Sequence, residues 1–90
     1  MPISQEITVY ANQNLTLSCR PRDSPSHLVF WYKTDRNNKD NEDFISTGPF
    51  YNVTKVTVND TGIYSCSATE WGTWGVKSYI LVTVIGELLL

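Results

Sequence analysis

The sequence predicts an all-β fold, a sandwich of two packed sheets, and three observations predict it. Apolar and polar residues alternate with a period of two along most of the chain, as strands with one buried face require. Clusters of turn-forming residues break that alternation at short intervals, so the strands are short and numerous. Cys19 and Cys66 flank Trp31, with Tyr64 two residues before the second cysteine. That pattern belongs to the central strands of a sandwich, where the tyrosine hydroxyl fixes the corner leading into its own strand.

The strands follow in order. Ile7 to Tyr10 reads as the first, ended by polar Asn12-Gln13-Asn14. Leu15 to Cys19 is the second, with Leu15, Leu17 and Cys19 on one face and Thr16 and Ser18 on the other. Residues 20–26 form a loop on composition. Leu28 to Lys33 is the tryptophan strand, and if Trp31 points inward, so does Val29, while Phe30 and Tyr32 point outward. Residues 34–43 read as a solvated turn, with a short strand over Phe44 to Thr47 before Gly48-Pro49 breaks the chain. Tyr51, Val53, Val56 and Val58 form the next inward set, and the offset between Val53 and Val56 predicts a bend. Asn59-Asp60-Thr61-Gly62 is a turn in which Asp60 can accept from backbone amides and Gly62 can take a positive φ. Tyr64, Cys66 and Ala68 then face the core. The last strand, Ser78 to Val84, turns Ile80, Val82 and Val84 inward and Tyr79 and Leu81 outward.

Ninety residues make one small domain, with a core over about residues 5–85 and a tail or linker at 86–90. The formal net charge of −2 leaves no electrostatic footprint for nucleic acid. No apolar stretch has the length of a membrane span. His27, the single histidine, stands in a loop beside Ser24 and Ser26, a solvated position with no dependable carboxylate partner. Phosphate loops and zinc spacings are missing, and the carboxylates of residues 35–43 are interleaved with Lys and Arg, which favours a solvated loop over a calcium site. Catalysis, a metal, a cofactor and a small-molecule substrate are therefore not expected.

Phe30-Trp31-Tyr32-Lys33-Thr34 and Val58-Asn59-Asp60-Thr61-Gly62-Ile63-Tyr64 resemble the first immunoglobulin domain of interleukin-1 receptor family members. Asn14-Leu15-Thr16-Leu17-Ser18-Cys19 and Tyr79-Ile80-Leu81-Val82-Thr83-Val84 also resemble membrane-distal domains of growth-factor receptor kinases. The resemblance to the immunoglobulin superfamily spans nearly the whole chain. It implies an immunoglobulin-like sandwich bridged by a Cys19–Cys66 disulfide, with Trp31 packed on the bridge. Such a bond persists in an oxidising compartment. The 46 residues between the cysteines leave no room for the two extra strands of a variable-type domain. Trp74-Gly75-Val76-Lys77 also lacks the second glycine of the antibody joining segment. An I-set or C2-like domain, shortened between its tryptophan strand and the strand after Gly48-Pro49, is expected.

Phe30, Tyr32, Tyr79 and Leu81 fall on the outer face of one sheet, and Trp71 and Trp74 lie in the loop joining the last two strands. Contiguous outward aromatics are seldom left idle on a monomer, and Trp and Tyr are enriched at interface hot spots. These six residues are the candidate protein-binding site, for a protein ligand or receptor partner. Homophilic adhesion, with a homodimer formed through the same face, is the alternative, and a secreted viral mimic of an immune receptor is another origin for such a domain. Three Asn-X-Thr triplets, at Asn14, Asn52 and Asn59, are candidate glycosylation sites. They support a secreted or cell-surface location. Alternation places Asn14 and Asn52 on the opposite sheet and Asn59 at a turn, so that glycans leave the aromatic face bare.

Overall fold

A computed structural model of the protein describes residues 3–19, 29–35, 37–38, 40–67 and 77–86. Trp71, Trp74, Ala68, His27, the loop at residues 20–26 and the tail at 87–90 lie outside the described residues.

Among the described residues, seven strands form in the order β1 (Gln5–Tyr10), β2 (Leu15–Ser18), β3 (Phe30–Thr34), β4 (Glu42–Thr47), β5 (Phe50–Val53), β6 (Gly62–Ser67) and β7 (Ser78–Ile85), with one 3-10 turn, Val58–Asp60, between β5 and β6. A five-stranded sheet has the order β1-β7-β6-β3-β4, and β2 pairs with β5 in a second sheet. β1 runs parallel to β7, and every other pairing is antiparallel. Among the described residues, only β4 occupies the interval in which a variable-type domain would need two further strands. The I-set or C2-like sandwich, shortened in that region, is the observed architecture.

The core lies between the layers. Leu15, Leu17 and Cys19 enter from one side, and Val29, Trp31, Tyr64, Cys66, Ile80, Val82 and Val84 enter from the other. Each fully buried Leu or Val contributes about 1.5–3 kcal/mol relative to exposure. Cys19 and Cys66 are bonded, with their Cα atoms 6.3 Å apart. Trp31 is the direct cross-strand partner of Cys66, which sets the indole beside the bridge. The Tyr51 ring lies 6.1 Å from that of Trp31 and 5.9 Å from that of Tyr64, so aromatic contacts join the two layers. The Tyr64 hydroxyl donates to the Asp60 carbonyl at 2.6 Å, the corner bond expected of its position.

Several expectations need correction. Val58 is not an inward residue: it is 53% exposed. Thr57 and Asp60 cap a 3-10 turn there, the Thr57 amide donating to Asp60 Oδ2 at 2.8 Å and the Asn59 amide to Thr57 Oγ1 at 3.3 Å. A 3-10 turn abandons the period of two, so the alternation cannot be carried through it. Gly62 does not supply a positive φ; among the described residues that conformation falls to Asn12, Gly48 and Lys55. Gly62 matters for space instead, since a Cβ there would lie 3.2 Å from Lys33 Cε. The solvated turn is shorter than residues 34–43, because Thr34 and Glu42 are already paired strand residues. Side-chain caps close it, with Asp35 accepting from the Asn37 amide and Asn38 from the Asp40 amide. The bend between Val53 and Val56 is present, with Lys55 at φ 52° and Val56 fully buried.

Candidate functional site

On the outer face of the five-stranded sheet, the register decides which side chains meet. Tyr32 on β3 stands opposite Ser65 on β6, and Ser65 stands opposite Tyr79 on β7. Phe30 faces Ser67, and Ile63 faces Leu81, in the rows on either side. The central strand thus offers serines between larger neighbours, and both Ser65 and Ser67 are fully buried although they point away from the core. Phe30, Tyr32, Tyr79 and Leu81 are half-buried on this face.

β4 adds a residue that alternation from Trp31 missed. The β3–β4 register shifts between Trp31 and Tyr32, so Trp31 pairs with Ser46 and Tyr32 with Phe44. Skipping Ile45 in this way puts Phe44 on the outer face and leaves Ile45 packed against the core. The Phe44 ring lies 6.4 Å from that of Phe30 and 5.9 Å from that of Tyr32, the latter edge-on. At 58% exposed, Phe44 is the most exposed large apolar residue among those described. The signal in sequence was only a Phe in a short strand of unassigned direction.

Charge is also built into the face. Glu42, at the start of β4, accepts from the Ser65 hydroxyl at 3.0 Å through Oε1 and pairs with Lys77 Nζ at 2.6 Å through Oε2. The same Nζ sits 4.5 Å from the centroid of the Tyr32 ring. An ion pair therefore straps the tyrosine, with both side chains about one-fifth exposed (19% and 22%). A cation over a ring at such a site contributes about 0.5–1 kcal/mol, and a partly exposed pair about as much. Glu42 falls within the solvated turn expected over residues 34–43, so the sequence alone gives it no part here. Thr34, its cross-strand partner, is buried with Oγ1 lacking a hydrogen-bond partner among the described residues.

The face that results is apolar at Phe30, Phe44 and Leu81, amphipathic at Tyr32 and Tyr79, and crossed by one neutralised pair. Such a surface is suited to non-covalent recognition. Among the described residues, no group of three or more His, Cys, Asp or Glu side chains could hold a metal ion, and no helix is long and apolar enough to cross a membrane. Asn14, Asn52 and Asn59 are all exposed. Asn52 lies on β5, Asn14 immediately precedes β2, and Asn59 sits in the 3-10 turn. Asn14 Oδ1 accepts from the Lys55 amide at 3.1 Å, and Asn52 Oδ1 accepts from Thr16 Oγ1 at 2.8 Å.

A bridged sandwich with a tyrosine corner and a buried tryptophan on the bridge defines a class, and comparison with known proteins agrees with it. The family model described as "Immunoglobulin domain" matches residues 2–70, and the chain belongs to that family. Fc receptor-like protein 5 of Mus musculus is 34% identical over 63 residues, covering 69% of this chain and 11% of that protein. Contactin-3 of Mus musculus is 28% identical over 92 residues, covering 99% of this chain and 9% of that protein. The chain thus spans about a tenth of the length of these relatives. Among solved structures, the N-terminal eight immunoglobulin domains of Down Syndrome Cell Adhesion Molecule superpose with a TM-score of 0.71 at 17% identity, covering 89% of this chain and 11% of that one. That likeness shows the fold.

Proposed function

We propose that this domain is an extracellular protein-binding module of a cell-surface receptor or adhesion protein. It recognises a protein ligand through the outer aromatic face, Phe30, Tyr32, Tyr79 and Leu81, together with the loop that carries Trp71 and Trp74. One observation carries the reading: Phe44 stands exposed against Phe30 and Tyr32, which leaves an aromatic cluster open on a sheet whose other side is already satisfied by the core. Association would gain from burying those rings, with Glu42 and Lys77 holding Tyr32 in place beforehand and so lowering the entropy lost on binding. The disulfide, the exposed sequons and the similarity to an Fc receptor-like protein and a contactin support an extracellular setting. The sequence resemblance to membrane-distal receptor domains favours the same role.

The test is binding of the glycosylated domain to a panel of secreted and cell-surface ectodomains. Trp71→Ala or Trp74→Ala should weaken a genuine partner by more than about 1–2 kcal/mol while leaving the melting temperature unchanged. Equal losses of binding and stability would assign the tryptophan to the core instead. A second reading is homophilic contact through the same face, because a second copy of the domain would bury the exposed Phe44 ring equally well. Sedimentation separates the two, because a face reserved for a different ligand leaves the domain monomeric at micromolar concentration.

A further inference from the structure

Phe50 is 50% exposed on β5, on the sheet opposite the aromatic face, and among the described residues no other ring packs against it. Nothing in the proposed binding mode uses it. Its neighbours in sequence suggest what does: the segment reads Phe50-Tyr51-Asn52-Val53-Thr54, with a glycosylation triplet beginning two residues after the phenylalanine.

We propose that Asn52 carries an N-linked glycan whose first N-acetylglucosamine lies on the ring of Phe50. Residues i and i+2 of a strand point to the same face about 6.6 Å apart, within reach of a single sugar ring attached to the asparagine. Tyr51 and Val53 turn to the core, so Phe50 and Asn52 share the outer face. Ser18, the cross-strand partner of Phe50, is too small to cover the ring. Asn52 is positioned from the other strand: Thr16 donates to its Oδ1, and among the described residues no hydrogen bond uses Nδ2, the atom that bears the sugar. The glycan is therefore accommodated without breaking a hydrogen bond of the fold. The C–H face of the sugar carries a slight positive charge and meets the negative face of the aromatic ring. The other two triplets lack this arrangement, having Asn12 and Thr57 at the equivalent places.

In the attachment step, Nδ2 of Asn52 forms a bond to C1 of the sugar as the bond from C1 to a polyisoprenyl diphosphate donor breaks. The amide gives up one proton to water, and the lipid diphosphate leaves with the electron pair. The inference rests on the extracellular reading, because that donor belongs to the secretory route.

The chain is produced in secreting mammalian cells, and occupancy is read at each asparagine by mass spectrometry. Glycans are then trimmed to the single N-acetylglucosamine. Melting is compared for the unsubstituted protein, Phe50→Ala, Thr54→Ala (which removes the triplet but keeps Asn52) and the double variant. We expect Asn52 to be occupied and Phe50→Ala to lower the melting temperature by roughly 4 °C or more beyond its effect in the Thr54→Ala background. The sugar protons should also be shifted upfield in the NMR spectrum of the unsubstituted protein, a readout that stands even if Phe50→Ala fails to fold. Equal losses in both backgrounds together with unshifted sugar protons would overturn the inference. So would a bare Asn52 beside an occupied Asn14 or Asn59, with the extracellular reading intact. Three bare asparagines would overturn both.

Discussion

The indole Nε1 of Trp31 donates to the carbonyl oxygen of Gly48 at 2.7 Å. The largest fully buried side chain among the described residues is thereby tied to the turn between β4 and β5, where the chain crosses from one sheet to the other. Trp31→Phe keeps an aromatic ring beside the disulfide but deprives that carbonyl of its donor and leaves a small void. We expect a loss of about 2–4 kcal/mol in urea unfolding, with the slope unchanged.

Two glycines should respond differently to the same change. Gly48 has φ 113°, and although an added Cβ would meet nothing within 4 Å, the backbone conformation itself is costly for alanine. Gly48→Ala should therefore lose about 1–2 kcal/mol. Gly62 has no such φ, and its added Cβ would meet the flexible Lys33 side chain. Gly62→Ala should stay within about 0.5 kcal/mol of the parent, since relief of chain entropy offsets the displacement of Lys33. Thermal melts of both variants check the ranking, and the reverse order would mean that space, rather than φ, governs these sites.

Tyr64 gives the domain an alkaline limit. Burial, followed by the charge of Asp60 and then Tyr51, holds its hydroxyl well above the ordinary tyrosine range. Burial and Asp60 raise Tyr51 in the same direction. A folded value raised above the unfolded one means that the stabilisation is complete below the unfolded value, about 10, and is lost as the pH climbs from there through the folded value. Denaturation midpoints should hold steady from pH 7 to about 9.5 and then fall. Tyr64→Phe should start about 1 kcal/mol lower, for want of the bond to Asp60, and decline less steeply above that point.

On the outer face, stability and recognition should separate. Phe44→Ala removes a ring that is mostly in water, so the fold should lose no more than about 1 kcal/mol while affinity for a partner on this face falls at least tenfold. Glu42→Gln should leave stability within about 1 kcal/mol of the parent and loosen Tyr32, read as a slower association or a weaker complex. Calorimetry beside surface plasmon resonance distinguishes the two effects, and a Phe44→Ala protein that binds normally would remove this cluster from the contact.

Sequence legibility tracks the reach of the period of two. Trp31, Tyr64 and Cys66 were readable because they lie on strands fixed by the cysteine and tyrosine pattern, where direction follows by counting. Counting failed where the backbone leaves that period: at Val58, lifted out by a capped 3-10 turn, and at Phe44, re-aimed by the skipped residue in β4. The Glu42–Lys77 pair was illegible for another reason. Its members are 35 residues apart and meet only through the combined register of β4, β3, β6 and β7, which no local pattern encodes. Phe30, Tyr32, Tyr79 and Leu81 were correctly placed on one outer face, while the tryptophans that complete the candidate site lie outside the described residues.

The parallel pairing of β1 with β7 has a mechanical consequence. Tension drawing the start of β1 and the end of β7 apart acts along the two strands, and the six residue pairs from Gln5–Ile80 to Tyr10–Ile85 resist it together in shear rather than peeling one at a time. If that ladder yields, the sulfur bridge between Cys19 and Cys66 still withholds the residues between them from extension. A chain folded this way can transmit force while keeping Tyr32 and its neighbours in register.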